Sequence, residues 1–190
     1  KDGQSNILLN YDGISSIAIG DLDNNGYPEI VVGAARYYGN VNEYIGILIF
    51  SHNGSLRGEY KKMEILNPWE SPHVAIGKLD SSNNSKIAFY YKDNTRTFFG
   101  VISDKANLIK EWSIMSQGGN EVAEQGYGLS LGNLDRDSEV EIISNSHHKV
   151  FAWNSDGSSL KGFPISIDNN IYLRGGKVVG DLDGDGGVDI

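Results

Sequence analysis

A tetrapeptide of the form Gly–x–Leu–Asp occurs four times in this chain, each time at the end of a short apolar run. It reads Gly20-Asp21-Leu22-Asp23, Gly77-Lys78-Leu79-Asp80, Gly132-Asn133-Leu134-Asp135 and Gly180-Asp181-Leu182-Asp183, with glycine spacings of 57, 55 and 48 residues. A turn signal runs in parallel at Asp2-Gly3, Asn53-Gly54, Asp104-Lys105 and Asp156-Gly157, spaced by 51, 51 and 52 residues. Around two of these turns the likeness extends further: Asn53-Gly54-Ser55-Leu56-Arg57-Gly58 parallels Asp156-Gly157-Ser158-Ser159-Leu160-Lys161-Gly162. Two independent markers of nearly equal period define a repeat of about 50 residues. Such a chain must set one supersecondary unit beside the next to bury its apolar faces.

Each unit reads as four short strands. The first unit gives Ile14–Gly20, Ile30–Ala35, Ile45–Phe50 and Leu56–Ile65, with a type I′ hairpin expected at Asn53-Gly54. The second gives Val74–Gly77, Ile87–Tyr91, Thr97–Ile102 and Leu108–Ile114, and the third Leu129–Gly132, Val140–Ser144, Lys149–Trp153 and Leu160–Ile167. No long stretch carries a helical period. Repeated sets of four antiparallel strands describe the blades of an all-β β-propeller. The expected division is residues 1–13 as the last strand of a preceding blade, 14–66 as blade one, 67–115 as blade two, 116–167 as blade three and 168–190 as the start of blade four. Ala18, Ala75, Ser130 and Val178 stand two residues before each marker glycine, where innermost strands converging on a channel need small side chains.

Composition narrows the function. The 190 residues include no cysteine, which excludes disulfides, thiolate zinc sites and thiol nucleophiles. The net charge of −9 disfavours nucleic acid and anionic membranes as partners. No apolar run reaches the roughly 20 residues needed to span a bilayer, so membrane insertion is not expected. The acidity is concentrated in the loops that carry the repeat marker.

Loop one, Asp21–Glu29, and loop four, Asp181–Asp189, place oxygen-bearing side chains at positions 1, 3, 5 and 9 and glycine at position 6. A hard cation such as Ca²⁺ takes six to eight oxygens. Alternate residues of a curled loop can aim at one point, and the backbone carbonyl of position 7 adds another donor. Without an ion the converging carboxylates repel one another. The expected donors are Asp21, Asp23, Asn25, Glu29 and the carbonyl of Tyr27 in loop one. In loop four they are Asp181, Asp183, Asp185, Asp189 and the carbonyl of Gly187. Loop three offers Asn133, Asp135, Asp137 and Glu141 with the carbonyl of Glu139, but Ser138 replaces the glycine, which predicts a strained positive φ and weaker binding. Loop two has Lys78, Asp80, Ser82 and Lys86 at the four positions. It is expected to hold no ion, a lysine amine near Asp80 supplying the missing charge. An EF-hand is excluded, because position 12 after Asp21 is Val32, inside a β-branched run.

Gly20–Phe50 resembles an FG-GAP repeat of the integrin-alpha-like, VCBS-type kind. The acidic loop runs into Ile30-Val31-Val32-Gly33-Ala34-Ala35, similar to the family's apolar strand and Gly-Ala-Pro mark, with Ala35 where proline is usual. Gly46–Phe50 resembles the next strand, Gln125–Ser130 the Phe-Gly opening with Gln in place of Phe, and Val150–Pro164 the Gly-Phe-Pro ending of prokaryotic members. The resemblance implies a calcium-binding propeller of seven or eight blades in an extracellular or cell-surface setting. Three blades and a fraction cannot close such a ring. The expectation is a piece of a longer polypeptide, with completion of one ring by two chains as the alternative. An open arc is expected to expose apolar faces such as those around Trp112 and Trp153.

Gly128-Leu129-Ser130-Leu131-Gly132 matches the G-x-S-x-G pattern but lies on a strand, not at a strand–turn–helix elbow, so it is no nucleophile. His147 and His148, adjacent on an expected strand end, point to opposite faces and cannot share a metal. In propellers of the resembled family, ligands meet the loops opposite the metal hairpins. Here those loops carry Tyr37, Tyr38, Trp69, Tyr127, Tyr172 and Arg174, aromatic faces and donors suited to sugars or proteins. The sequence therefore reads as a calcium-stabilised, secreted or surface propeller for adhesion or ligand binding, its partner a glycan or an extracellular protein, without chemistry of its own. The alternatives are the propeller part of a polysaccharide lyase or other secreted carbohydrate-active enzyme, and a structural spacer.

Overall fold

The computed structural model describes residues 11–36, 43–63, 72–93, 96–115, 128–146, 148–168, 173 and 179–181. Among these the chain forms twelve strands and no helix. The first four are β1 (Gly13–Gly20), β2 (Glu29–Arg36), β3 (Tyr44–Phe50) and β4 (Leu56–Met63), followed by β5 (His73–Gly77), β6 (Lys86–Lys92), β7 (Arg96–Ile102) and β8 (Leu108–Met115). The last four are β9 (Ser130–Gly132), β10 (Glu141–Asn145), β11 (Lys149–Trp153) and β12 (Ile165–Ser166). They pair in sequence order into three four-stranded antiparallel sheets, β1–β4, β5–β8 and β9–β12. These are the blades of a β-propeller, as the repeat predicts. The first strands are neighbours: β1 lies against β5, and β5 against β9.

The middle strands of a blade read as nearly continuous apolar runs because both faces are covered. In β3, Ile45, Ile47 and Ile49 point toward blade two and pack with Ile87, Phe89 and Tyr91 of β6, while Tyr44 and Leu48 face the other way. In β6, Ala88 and Tyr90 turn to blade three and meet Ile142 and Trp153. Trp112 and Trp153, expected as an exposed apolar face, instead fill the seam between blades two and three. Their rings are 6.2 Å apart, and Phe99 lies 4.6 Å from Trp153. Val179, in the next unit, packs on the cluster of Ile143, Ala152 and Leu160. On the far side of blade one, Ile17 and Ile19 of β1 remain 62% and 68% exposed.

Two of the marker glycines, Gly20 and Gly77, stand where adjacent innermost strands pass close to one another. A Cβ on Gly20 would stand 3.1 Å from Ile76 of β5, and one on Gly77 would stand 2.7 Å from Leu131 of β9. A larger side chain there would push the innermost strands apart.

The hairpin between third and fourth strands differs from the expected type I′ turn, since Asn53 does not have positive φ. Ser51 N–H donates to Ser55 O (2.8 Å), Gly54 N–H donates to Ser51 O (2.9 Å), and only Gly54 is left-handed (φ 84°). The same turn recurs as Ser103–Asn107 with Ala106 at φ 60°, and as Asn154–Ser158 with Gly157 at φ 83°. Ala106, not Lys105, therefore matches Gly54, and the sequence marker in blade two is shifted by one residue. The fourth strand of blade three is also shorter than the expected Leu160–Ile167. Phe163 N–H turns back to Leu160 O (3.1 Å), Gly162 is left-handed, and Pro164 has no N–H for a ladder, so pairing resumes only at Ile165. Among the described residues no helix is long and apolar enough to cross a membrane.

Candidate metal centres

Each marker loop joins the first strand of a blade to its second. Its position-2 leucine is the anchor: Leu22 and Leu79 are fully buried, and Leu134 packs on the blade-three cluster. Position 9 opens the second strand and points back beneath the loop. In loop one, Glu29 is 1% exposed and its Oε2 accepts Leu22 N–H at 2.9 Å. In loop three, Glu141 is equally buried, and its Oε2 accepts Leu134 N–H at 2.6 Å. The two glutamates thus hold the same place in two blades.

Around them the carboxylates converge. Asp21, Asp23 and Glu29 bring one oxygen each to within 4.8 Å of one another, and Asp135, Asp137 and Glu141 do the same in loop three. Of the expected side-chain donors in these two loops, the amides hydrogen-bond to the loop backbone. Asn25 Oδ1 accepts Tyr27 N–H at 2.8 Å, and Asn133 Oδ1 accepts Arg136 N–H at 2.7 Å, so both brace the loop backbone. Asp21 does both jobs, accepting from Asn25 N–H (3.1 Å) and Gly26 N–H (2.8 Å). The Glu139 N–H donates to Asp137 Oδ1 at 2.7 Å, as Tyr27 N–H does to Asn25. The Tyr27 ring stacks on His52 with centroids 4.7 Å apart.

The strain expected at Ser138 is not there. Loop three reverses at position 4, where Arg136 has φ 66°, and Ser138 is not left-handed. Loop one uses Asn24 (φ 57°) at position 4 and Gly26 (φ 87°) at position 6. The reason given for weaker binding in loop three therefore falls away.

Loop two shows what the shared geometry is built to surround. Lys86, at position 9, is buried, and its Nζ sits 3.1 Å from Asp80 Oδ1, 2.5 Å from Ser82 Oγ and 2.8 Å from the carbonyl oxygen of Asn84. Those are the side chains of positions 3 and 5 and the carbonyl of position 7, the oxygens an ion would take. Burial alone would raise the Asp80 carboxyl, but hydrogen bonds from Ser82 and Lys86 outweigh it and hold the group below its ordinary value. In loop three the balance is opposite. Burial pushes Glu141 up, and the Asp135 and Asp137 charges add to that against the backbone N–H of Leu134. Loop one has a side-chain cation that the sequence reading missed. Arg57 of β4 places Nη2 2.8 Å from Asp23 Oδ2 and Nη1 2.7 Å from Glu29 Oε1. No local sequence signal announces it: the strand registers, which set Leu56 opposite Phe50 and Phe50 opposite Ile30, bring Arg57 to the loop.

The donor chemistry of loops one and three fits a hard divalent ion. Three carboxylates meet in each, and Asp23 Oδ1 is a buried oxygen with no hydrogen-bond partner. Loop two does not fit one, because an ammonium already fills the position. In loop four only Asp181 is described; Asp183, Asp185, Gly187 and Asp189 lie outside the described residues, as do all six expected ligand contacts, Tyr37, Tyr38, Trp69, Tyr127, Tyr172 and Arg174. Ser130 is in β9 opposite Ile143, so the G-x-S-x-G match is strand and not elbow. His73 stacks on Tyr90 at 4.7 Å.

Residues 14–47, from β1 through loop one into β3, match the family model of the FG-GAP repeat. FG-GAP repeats form β-propellers, modules that often bind protein or other ligands. No curated protein and no solved structure matches the chain.

Proposed function

We propose that this chain, with its FG-GAP repeat, is a calcium-stabilised segment of a β-propeller that binds a ligand and performs no chemistry of its own. The observation that carries the reading is the recurrence of one oxygen-lined position in three successive blades. In blade two a lysine ammonium sits there, and in blades one and three carboxylates from positions 3 and 9 and a third acidic side chain surround it. Positive charge at that point ties the marker loop to the start of the second strand. Where no ammonium supplies it, a divalent ion does.

Calcium is the ion the all-oxygen donor set favours, and the fourth loop is proposed as a third such site. With free ion at ten times the dissociation constant, a site adds about 1.4 kcal/mol to stability. Extracellular calcium, at roughly millimolar levels, suits sites of the affinity typical of extracellular modules. A secreted or cell-surface setting follows. The ligand is proposed to be a glycan or an extracellular protein met by the loops opposite the metal hairpins. Thermal melts with calcium and with EDTA test the stabilising role. Calcium should raise the midpoint, and Asp23→Asn, Glu141→Gln and Asp183→Asn together should abolish the rise. A midpoint indifferent to calcium would refute the reading. Glycan-array binding without turnover of polyuronides would support recognition over catalysis.

A further inference from the structure

Loops one and three present similar carboxylates but different surroundings, and the difference is Arg57. Its guanidinium bridges Asp23 Oδ2 and Glu29 Oε1 at 2.8 and 2.7 Å, with the other Glu29 oxygen already taken by Leu22 N–H. Only Asp23 Oδ1 remains, buried and without a partner. The arrangement is therefore incomplete: the guanidinium spans the outer oxygens and leaves one inner oxygen unsatisfied. A planar fork on a strand edge cannot reach around two carboxylates as a spherical ion can. By the shared turn register, Ser51–Ser55 with Asn154–Ser158, the residue matching Arg57 in blade three is Leu160, an apolar side chain buried in the blade-three cluster, and Lys161 follows it. Lys161 is exposed, and among the described residues no ion pair joins it to Asp135, Asp137 or Glu141.

We infer that Arg57 is a built-in competitor for the cation of loop one: the ion must displace the guanidinium from Asp23 and Glu29. Loop one then binds more weakly than loop three and fills after it, and its filling frees Arg57 at the start of β4. This rests on the calcium reading of the loops. It also orders the three described blades by the source of their charge. Blade two carries a fixed ammonium, blade one a displaceable guanidinium, and blade three the apolar Leu160 where blade one has Arg57.

The test is calcium titration calorimetry on the whole chain. With loop four silenced by Asp183→Asn throughout, Asp135→Asn/Asp137→Asn leaves loop one to be read, and Asp23→Asn leaves loop three. In the first background, Arg57→Gln should tighten calcium binding about tenfold by removing two charge-assisted hydrogen bonds that the ion must break. Arg57→Lys, which keeps the charge but cannot bridge both carboxylates, should fall between. In the Asp23→Asn background Arg57→Gln should change nothing. A loop one that binds calcium only once Arg57 is replaced would support the inference in its strongest form. Unchanged or weaker binding in both Arg57 variants would overturn it, while calcium binding at loop three in the Asp23→Asn background would leave the functional reading standing. Absence of binding in every variant would overturn both. Should Arg57→Gln fail to fold, Arg57→Lys decides: equal or weaker affinity than the parent refutes the competitor role.

Discussion

Replacing Lys86 by methionine removes the ammonium of loop two while keeping a side chain of similar length in its buried slot. The Lys86 side chain is 9% exposed, and its three oxygen partners lie at 3.1, 2.5 and 2.8 Å. Breaking a fully buried ion pair costs about 3–5 kcal/mol, because the abandoned charge stays dry. Here the Asp80 side chain is 40% exposed, so water can resolvate it, and that portion must be discounted. What remains is the loss of hydrogen bonds to Ser82 and to the Asn84 carbonyl, about 1–2 kcal/mol together. For a chain of this size 1 kcal/mol moves the melting midpoint by roughly 2–4 °C, so a fall of roughly 2–8 °C is expected. Differential scanning calorimetry in EDTA and in millimolar calcium measures it. The Lys86→Met deficit should be the same in both, because loop two then has too few carboxylates for an ion. Lys78→Asp/Lys86→Glu, by contrast, should be destabilised in EDTA and recover in calcium. An unchanged midpoint for Lys86→Met would refute the claim that an ammonium holds this loop together.

Three further outcomes follow from the geometry. Gly54 and Gly157 occupy the same left-handed turn position in two blades, but an added Cβ meets nothing within 4 Å at Gly54 and Trp112 Cδ2 at 2.9 Å at Gly157. In urea titrations Gly54→Ala should cost about 1 kcal/mol of backbone strain. Gly157→Ala should cost that plus about 1–3 kcal/mol for the clash with the ring, and equal costs would contradict the seam described here. Asp80, held below its ordinary value, gives stability that is present above the unfolded carboxyl value of about 4 and is lost as pH falls through the folded one. The gap in urea midpoint between the parent and Asp80→Asn should therefore be widest at neutral pH and close on acidification; a gap that widens in acid would reverse the sign. Gly77→Val should destabilise the chain more than Ala75→Val. The Gly77 Cβ position already lies 2.7 Å from Leu131, and thermal melts of the two variants check the order.

The blade architecture was legible because it is written in periodic signals. Alternation, turn residues and the Gly–x–Leu–Asp marker each depend on local backbone needs, and the observed strands agree with the reading to within a residue or two through β11. The failures have local causes too. Which loop residue takes positive φ is a choice between positions 4 and 6, and Arg136 takes it without a glycine to announce it. The fourth strand of blade three reads as apolar and polar alternation, yet Pro164 and the turn at Leu160–Phe163 interrupt the ladder. Lys86 could be anticipated, since an ammonium and a carboxylate six residues apart in a curled loop must meet. Arg57 could not, because its partners are 34 and 28 positions away and are reached only through the registers of β2, β3 and β4. The aromatic loops read as a recognition surface rest on composition alone.

The central claim is that a divalent ion supplies the positive charge in the two acidic loops, where no buried ammonium fills the position and the Arg57 guanidinium is displaceable. Anomalous difference density from crystals grown in millimolar calcium tests it directly. Peaks are predicted among Asp21, Asp23 and Glu29 and among Asp135, Asp137 and Glu141, with none beside Lys86. Empty acidic loops, or a peak in place of the Lys86 ammonium, would contradict it.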